Sequence, residues 1–230
     1  QVHKAILRST NEKVVVKVQR PSIRAIIESD LDLLYLLARL IEHSIQETQT
    51  YSPTGIIHEF DKAIHRELDY TIEAQNIIRF RHNFEHDRTI YAPRVYRELS
   101  TRNVLVIEFV EGTKISELDS TPEEKHRIAR NGFRSILKQI FIDGFFHGDP
   151  HPGNLFVMKN QAIAFLDFGM MGRLDQEMKD ELADLLVAVI NQNVKQIAEI
   201  LANIGTQTQK INMRVFRNDD PWLVATNFLM

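Results

Sequence analysis

Within His147-Gly148-Asp149-Pro150-His151-Pro152-Gly153-Asn154 an aspartate and an asparagine stand five positions apart, and Asp167-Phe168-Gly169 follows thirteen residues after the asparagine. Asp149 has the type and place to orient the proton of an attacking hydroxyl. Asn154 suits a metal ion, and Asp167 suits a Mg²⁺ that bridges the phosphate oxygens of ATP. That is the chemistry of phosphoryl transfer. Between these groups lie two apolar runs, Leu155-Phe156-Val157 and Ala162-Ile163-Ala164-Phe165-Leu166, joined by the turn-like Lys159-Asn160. The pattern predicts a hairpin that sets the loop and the triplet side by side.

Other readings of the loop are weaker. His147, Asp149 and His151 alternate as the ligands of a metal-dependent hydrolase would, but zinc sites draw a further His or Cys set from elsewhere. This chain has no cysteine and no second dense histidine cluster. The glycines and prolines would by themselves build a tight loop, which leaves the spacing of the two aspartates and the asparagine unexplained. Aminoglycoside and choline kinases share an H-G-D-x-x-x-x-N loop, so the loop alone does not separate those groups.

A phosphate-binding site also needs a cation and something to hold it. Lys13-Val14-Val15-Val16-Lys17-Val18 is a β-branched run with a lysine inside it, closed by Gln19-Arg20-Pro21. A strand lysine in such a site grips the α- and β-phosphates and pairs with a helix glutamate, although an edge-strand lysine is usually just solvated. Glu67-Leu68-Asp69-Tyr70-Thr71-Ile72-Glu73-Ala74 falls in a long helical pattern. Three carboxylates in seven residues normally mark a wet helix face. With Lys17 in view, one of them becomes its candidate partner.

These pieces together resemble the UbiB/AarF (ABC1-type) group of atypical, protein-kinase-like proteins. The matching segments are Gln1-Val2-His3-Lys4-Ala5, Val16 to Pro21, Glu67 to Tyr70 with Glu73-Ala74, Ile107-Glu108-Phe109-Val110-Glu111-Gly112, and the HGDPHPGN and DFG stretches. They occur in family order to about Arg173. The resemblance implies that Lys17 pairs with Glu73, and that Glu108 to Val110 form the hinge that carries adenine. It also implies that Glu67 and Asp69 form the family's E-x-D element, associated with an N-terminal extension that folds over the active site. The chain opens on Gln1, past the alanine-rich loop and the K-x-G-Q extension of the family, and Ser22 stands where glycine usually follows Arg-Pro. It ends abruptly, Asp219-Asp220-Pro221-Trp222-Leu223 running into Phe228-Leu229-Met230. A segment of a longer protein is expected.

The 230 residues are 43% hydrophobic and 26% charged, in the globular range. A net charge of −3 gives no broad basic field for nucleic acid. Without cysteines there are no disulfides and no thiolate zinc sites.

The positioning elements follow from pattern. Ile23 to Gln49 carries Ile26, Ile27, Leu31, Leu33, Leu34, Leu36, Leu37, Leu40 and Ile41, interrupted by Asp30, Asp32, Arg39 and Glu42. A membrane span needs about 18 nearly unbroken apolar residues, so a packed helix is expected, with a helix lying in a membrane interface as the alternative. A turn at Thr50 to Gly55 leads into a helix over about Ile56 to Asn83. Tyr91 to Tyr96 and Val104 to Phe109 read as two strands that complete a small sheet. Thr121-Pro122-Glu123-Glu124 starts a helix with a cap, running to about Asp143 and ended by Gly144. Its expected buried face is Ile128, Phe133, Ile136, Leu137, Ile140 and Phe141. Asp175 opens a helix with Leu182, Leu185, Leu186 and Val189, and Asn193 with Gln196 starts another with Ile197, Ile200 and Leu201. No A-P-E signature follows the DFG, which argues against a platform for peptide substrates.

The expectation is an α+β, two-lobed protein-kinase-like fold. Residues 1–112 would form the small sheet lobe with an inserted helix pair, and residues 113–230 a mainly helical lobe. ATP and Mg²⁺ are the implied cofactors, and an isoprenoid quinone precursor, a lipid or quinone-biosynthesis proteins the implied partners. The implied activity is ATP hydrolysis or phosphotransfer supporting ubiquinone-type biosynthesis. The implied place is peripheral, on the cytoplasmic side of a membrane or inside an organelle. A non-catalytic ATP-binding regulatory module and an aminoglycoside-phosphotransferase-like kinase are the alternatives.

Overall fold

A computed structural model describes residues 1–44 and 52–206. The expected end of the first helix at Gln49, the start of the turn after it and the Asp219–Met230 segment lie outside the described residues. The chain divides into two compact units, Gln1–Arg173 and Leu174–Met230. The lobe boundary expected at Gly112 falls inside the first.

In the first unit, β1 (Val2–Ile6), β2 (Lys13–Val18) and β4 (Val104–Glu108) form an antiparallel sheet in the order β1-β2-β4. The β-branched run of β2 favours this pleated, half-buried setting. Val14 turns into the core from it. Between β2 and β4 the chain makes three helices: α1 (Ile23–Ser44), α2 (Pro53–Glu67) and α3 (Tyr70–Asn83).

The single helix expected over Ile56 to Asn83 is therefore two. Asp69 breaks it: its backbone is extended and its carboxylate accepts from the Thr71 N–H at 3.0 Å, capping α3. The Leu68 carbonyl at the end of α2 accepts instead from Gln19 Nε2 at 2.5 Å and an Arg24 guanidinium N–H at 2.8 Å. The expected packing of α1 holds on one face only. Leu31 and Ala38 are buried, whereas Ile26, Leu33, Leu36, Leu37 and Leu40 are exposed. No helix among the described residues is long and apolar enough to cross a membrane.

A second sheet, β3 (Ile90–Tyr91), β8 (Ile163–Phe165), β7 (Leu155–Met158) and β5 (Gly112–Lys114), runs in the order β3-β8-β7-β5. The predicted hairpin is β7–β8, with Leu155 opposite Phe165. The strand expected over Tyr91 to Tyr96 departs from the reading. Only Ile90 and Tyr91 are in a strand, and it pairs parallel with β8 rather than with the first sheet. Pro93 has no N–H for a ladder, and only Val95 bridges to Ile107. A two-stranded pair, β6 (Phe145–His147) and β9 (Met171–Arg173), brackets the loop and the triplet.

Helix α4 (Pro122–Leu137) begins with the predicted capping box between Thr121 and Glu124 and continues as a π turn, Lys138–Ile142. Gly144, at φ 55°, turns the chain out. Its buried face differs from the expected one. Ile128, Ser135 and Gln139 are buried, while Phe133 and Ile136 are exposed. Gly132 faces β8, where a Cβ would meet Ile163 at an ordinary contact distance of 3.5 Å. The core joins Ile77, Phe80 and Phe84 of α3 and its cap to Leu105, Ile107, Phe145, Ile163, Phe165 and Phe168.

In the second unit, α5 (Gln176–Ile190) is capped by Asp175, which accepts from Met178 N–H at 2.9 Å. Asn193 accepts from Gln196 N–H at 3.2 Å ahead of α6 (Val194–Thr206). Both starts match the sequence reading. Ala188 is the buried residue of α5, and Leu186 and Val189 are exposed.

Candidate functional site

Strand β2 carries Lys17 opposite Leu105 of β4, and α3 lies behind with Glu73 in its first turn. The Lys17 Nζ donates to Glu73 Oε1 at 2.6 Å and stands 3.7 Å from Asp167 Oδ1. The Lys17 and Glu73 side chains are 14% and 7% exposed, so this pair is far more shielded than a surface ion pair. Burial opposes the charge on Lys17, but the Glu73 and Asp167 carboxylates outweigh it and raise the ammonium above its ordinary value. Burial also raises the Glu73 carboxyl, with Lys17 working against it. At Asp167 burial is overcome by Lys17 and by the Gly169 N–H, so its carboxyl lies below the usual range. Asp167 is 45% exposed and is the open end of the triad.

The triplet itself is tied down group by group. His147 Nε2 donates to the Asp167 carbonyl at 2.6 Å while its Nδ1 accepts the Asp149 N–H at 3.2 Å. With Nδ1 used as an acceptor, the ring proton that serves the Asp167 carbonyl is the one on Nε2. The Phe168 N–H donates to Glu73 Oε1 at 3.3 Å, and Asn76 Nδ2 donates to the Phe168 carbonyl at 3.0 Å. Gly169 N–H returns to Asp167 Oδ1 at 3.1 Å. The Phe168 ring is fully buried, edge-on to Phe80 at 5.0 Å.

The loop from β6 to β7 places the remaining groups. Asp149 is exposed at its apex. His151 caps the short Pro152–Asn154 turn by accepting Gly153 N–H at 3.0 Å. Asn154 Nδ2 then lies 3.5 Å from Asp167 Oδ2. With both His147 nitrogens engaged and His151 used as a cap, no group of three or more potential metal-binding His, Cys, Asp or Glu forms among the described residues. Glu108 ends β4, but its carboxylate accepts from the Tyr91 hydroxyl at 2.8 Å and the Arg94 N–H at 3.0 Å. The Glu108 N–H donates to the Arg94 carbonyl at 2.8 Å and the Phe109 N–H to the Lys13 carbonyl at 3.2 Å, and Val110 is buried.

Residues 1–201 match the model of the ABC1 atypical kinase-like domain. The chain belongs to that family. Proteins named "Probable protein kinase UbiB" from Vibrio parahaemolyticus and Vibrio atlanticus are each 35% identical to it over 223 residues. Each alignment covers 94% of this chain and 41% of the relative, so the chain spans well under half the length of the curated relatives it matches. Among solved structures, that of Rv3197 from Mycobacterium tuberculosis, determined with erythromycin, superposes with a TM-score of 0.68 at 22% identity. It covers 94% of this chain and 55% of that one. The likeness establishes a kinase-like fold, an α+β arrangement of a small sheet and a helical part.

Set in this family, the donors near Asp167 suit Mg²⁺. It takes hard oxygen ligands, typically one or two carboxylates completed by substrate phosphates and water. Asp167 and the Asn154 side-chain oxygen are such donors, and Lys17 beside them suits a phosphate. Of the E-x-D residues, Asp69 caps α3 and pairs with Arg102 Nε at 3.1 Å, while Glu67 is exposed at the end of α2. Neither makes a direct bond to Lys17 or Asp167 among the described residues. Sequence reasoning passed over Asn76 and gave His147 no part in holding the triplet. The spacing of Asn76, three residues after Glu73 and so on the same helix face, was its signal.

Proposed function

We propose that this segment binds ATP with Mg²⁺ and belongs to an atypical kinase-like enzyme that hydrolyses ATP or transfers its phosphoryl group to a small molecule or lipid. The observation that carries the proposal is the convergence of Lys17, Glu73, Asn154 and Asp167 from four separate chain segments. Glu73 holds Lys17 for the α- and β-phosphates, the Glu108–Val110 backbone takes the adenine edge, and Asp167 and Asn154 hold the metal. The metal supplies charge neutralisation between phosphate oxygens. Asp149 orients the acceptor hydroxyl or water. Catalysis by such a site is mostly positioning and charge stabilisation.

The family resemblance implies a place in isoprenoid quinone biosynthesis, with a quinone precursor, a lipid or a biosynthetic protein as partner. We assign the parent protein to a membrane periphery. The exposed apolar face of α1 is consistent with such a setting. Glu67 and Asp69 serve as a regulatory element.

The test is a thermal-shift titration with ATP or ADP, with and without Mg²⁺, on this chain and on D167N. A ligand at 100 times its Kd stabilises by about 2.7 kcal/mol, a shift of a few degrees. A Mg²⁺-dependent shift lost in D167N supports the site. No shift in this chain or in the full-length parent would refute it. Binding without turnover would make the protein a regulatory ATP-binding module instead.

A further inference from the structure

Asn76 is buried, 7% exposed, on α3. Its Nδ2 donates to the Phe168 carbonyl at 3.0 Å. That carbonyl belongs to the same peptide unit as the Gly169 N–H, which donates to Asp167 Oδ1 at 3.1 Å. A peptide unit is planar, and its C=O and N–H point in opposite directions. Fixing the carbonyl toward α3 therefore aims the N–H at the Asp167 carboxylate. Gly169 has no Cβ, so rotation of this peptide is sterically cheap, and a partner for the carbonyl is what holds it. Glu73 holds the preceding peptide through the Phe168 N–H at 3.3 Å, and Phe80 packs against the Phe168 ring. Three residues of one helix thus hold Phe168 at its nitrogen, ring and carbonyl.

We infer that Asn76 is a positioning residue for the metal site: through the Phe168–Gly169 peptide it sets the direction of the Asp167 carboxylate. The metal-binding part rests on the Mg²⁺-nucleotide reading above. The link from Asn76 to Asp167 rests on two hydrogen bonds and the peptide unit between them. It predicts a division of labour on α3. Glu73 acts on Lys17 and hence on the phosphates, and Asn76 acts on Asp167 and hence on the metal.

The experiment has two arms, each on N76D and N76S. The first replaces the donor by an acceptor of the same shape, and the second withdraws it beyond reach. In the first arm, amide hydrogen exchange is followed by NMR in the nucleotide-free protein. The Gly169 amide should exchange about tenfold faster than in the wild type, the worth of a hydrogen bond to a charged group. The Phe168 amide, held by Glu73, should change no more than the global reporters do. Unchanged Gly169 protection in both variants overturns the inference. In the second arm, the affinity for a fluorescent ADP analogue is measured with and without Mg²⁺. Metal-free affinity should persist and the gain given by Mg²⁺ should fall about tenfold. A full Mg²⁺ gain in both variants overturns the metal-positioning role. If the wild type itself shows no Mg²⁺ gain, the nucleotide reading fails and the positioning of a metal fails with it, while the exchange arm still decides the peptide link. A merely structural role for Asn76 would lower both affinities together and speed both amides alike.

Discussion

Lys17 and Glu73 are 56 residues apart in the chain and 2.6 Å apart in space, one on a strand and one on a helix, with little solvent around either. Removing one member of such a pair strands a charge in a poor solvent and costs about 3–5 kcal/mol, whereas replacing both by apolar groups is often neutral. K17M and E73L should each lower stability in denaturant titrations, and the double variant should recover most of the loss. Equal and additive losses would show that the pair is not coupled. Asp167, at 3.7 Å, moderates the effect of E73L by giving Lys17 a second carboxylate.

The acid limb of stability should report on Asp69. Burial resists its ionisation, but the Thr71 hydroxyl and N–H and the nearby Arg102 and Arg24 hold its carboxyl below the usual range. A depressed native pKa contributes stability that is fully present above the unfolded value of about 3.9 and is lost as pH falls through the native value. D69A should cost about 1 kcal/mol at neutral pH, the usual loss for a helix N-cap. D69N, which still caps, should cost less at neutral pH and should flatten the acid limb. Denaturant midpoints from pH 7 down to about pH 3 test this. If D69N and the wild type lose stability in parallel across that range, Asp69 does not carry the linkage.

The candidate site residues were more legible than the frame that holds them. Asp149, Asn154 and Asp167 follow from residue type and spacing, Lys17 becomes a candidate only beside the carboxylates of residues 67–73, and two apolar runs with a turn between them give the β7–β8 hairpin. The break at Asp69 was not legible, because the apolar periodicity runs through it. What meets the carbonyl at the end of α2 is a pair of side chains, Gln19 and Arg24, from 49 and 44 residues upstream. The exposed stripe of α1 was read as packed because a pattern marks an apolar face without saying what covers it. The buried face of α4 is Ile128, Ser135 and Gln139, two of them polar, and an apolar pattern does not select polar residues for burial. Asn76 shares the helix face of Glu73, but pattern does not name its partner, a carbonyl 92 residues away.

Gly112 closes the segment that follows the proposed hinge, and the backbone of β7 leaves it no room. A Cβ there would stand 2.9 Å from the Val157 carbonyl oxygen, part of the strand rather than the end of a movable side chain. G112A should therefore force β5 away from β7 and cost about 1–3 kcal/mol, as overpacking does. Gly55 is the control, since its nearest neighbour atoms are at 3.3 Å on the exposed Ser52 side chain. Thermal unfolding of the two variants checks the difference. Equal melting temperatures would mean that the β5–β7 contact gives way freely.

Binding and turnover should separate at Asp149. Its side chain is exposed at the loop apex, and its backbone N–H, which a substitution leaves in place, is what bonds to His147. D149N should therefore leave fold and nucleotide affinity near wild type. If Asp149 orients the acceptor, turnover in the full-length parent should fall about 10²–10⁴-fold, the range for losing a general base. D167N removes a carboxylate that Lys17 faces and that would hold the proposed metal, so it should abolish Mg²⁺-dependent binding and turnover together. Calorimetric binding and phosphate release, measured on both variants, separate the roles. If D149N turns over at the wild-type rate, Asp149 has no chemical role. If D149N loses nucleotide affinity as D167N does, the loop acts in binding and the division between the two aspartates falls.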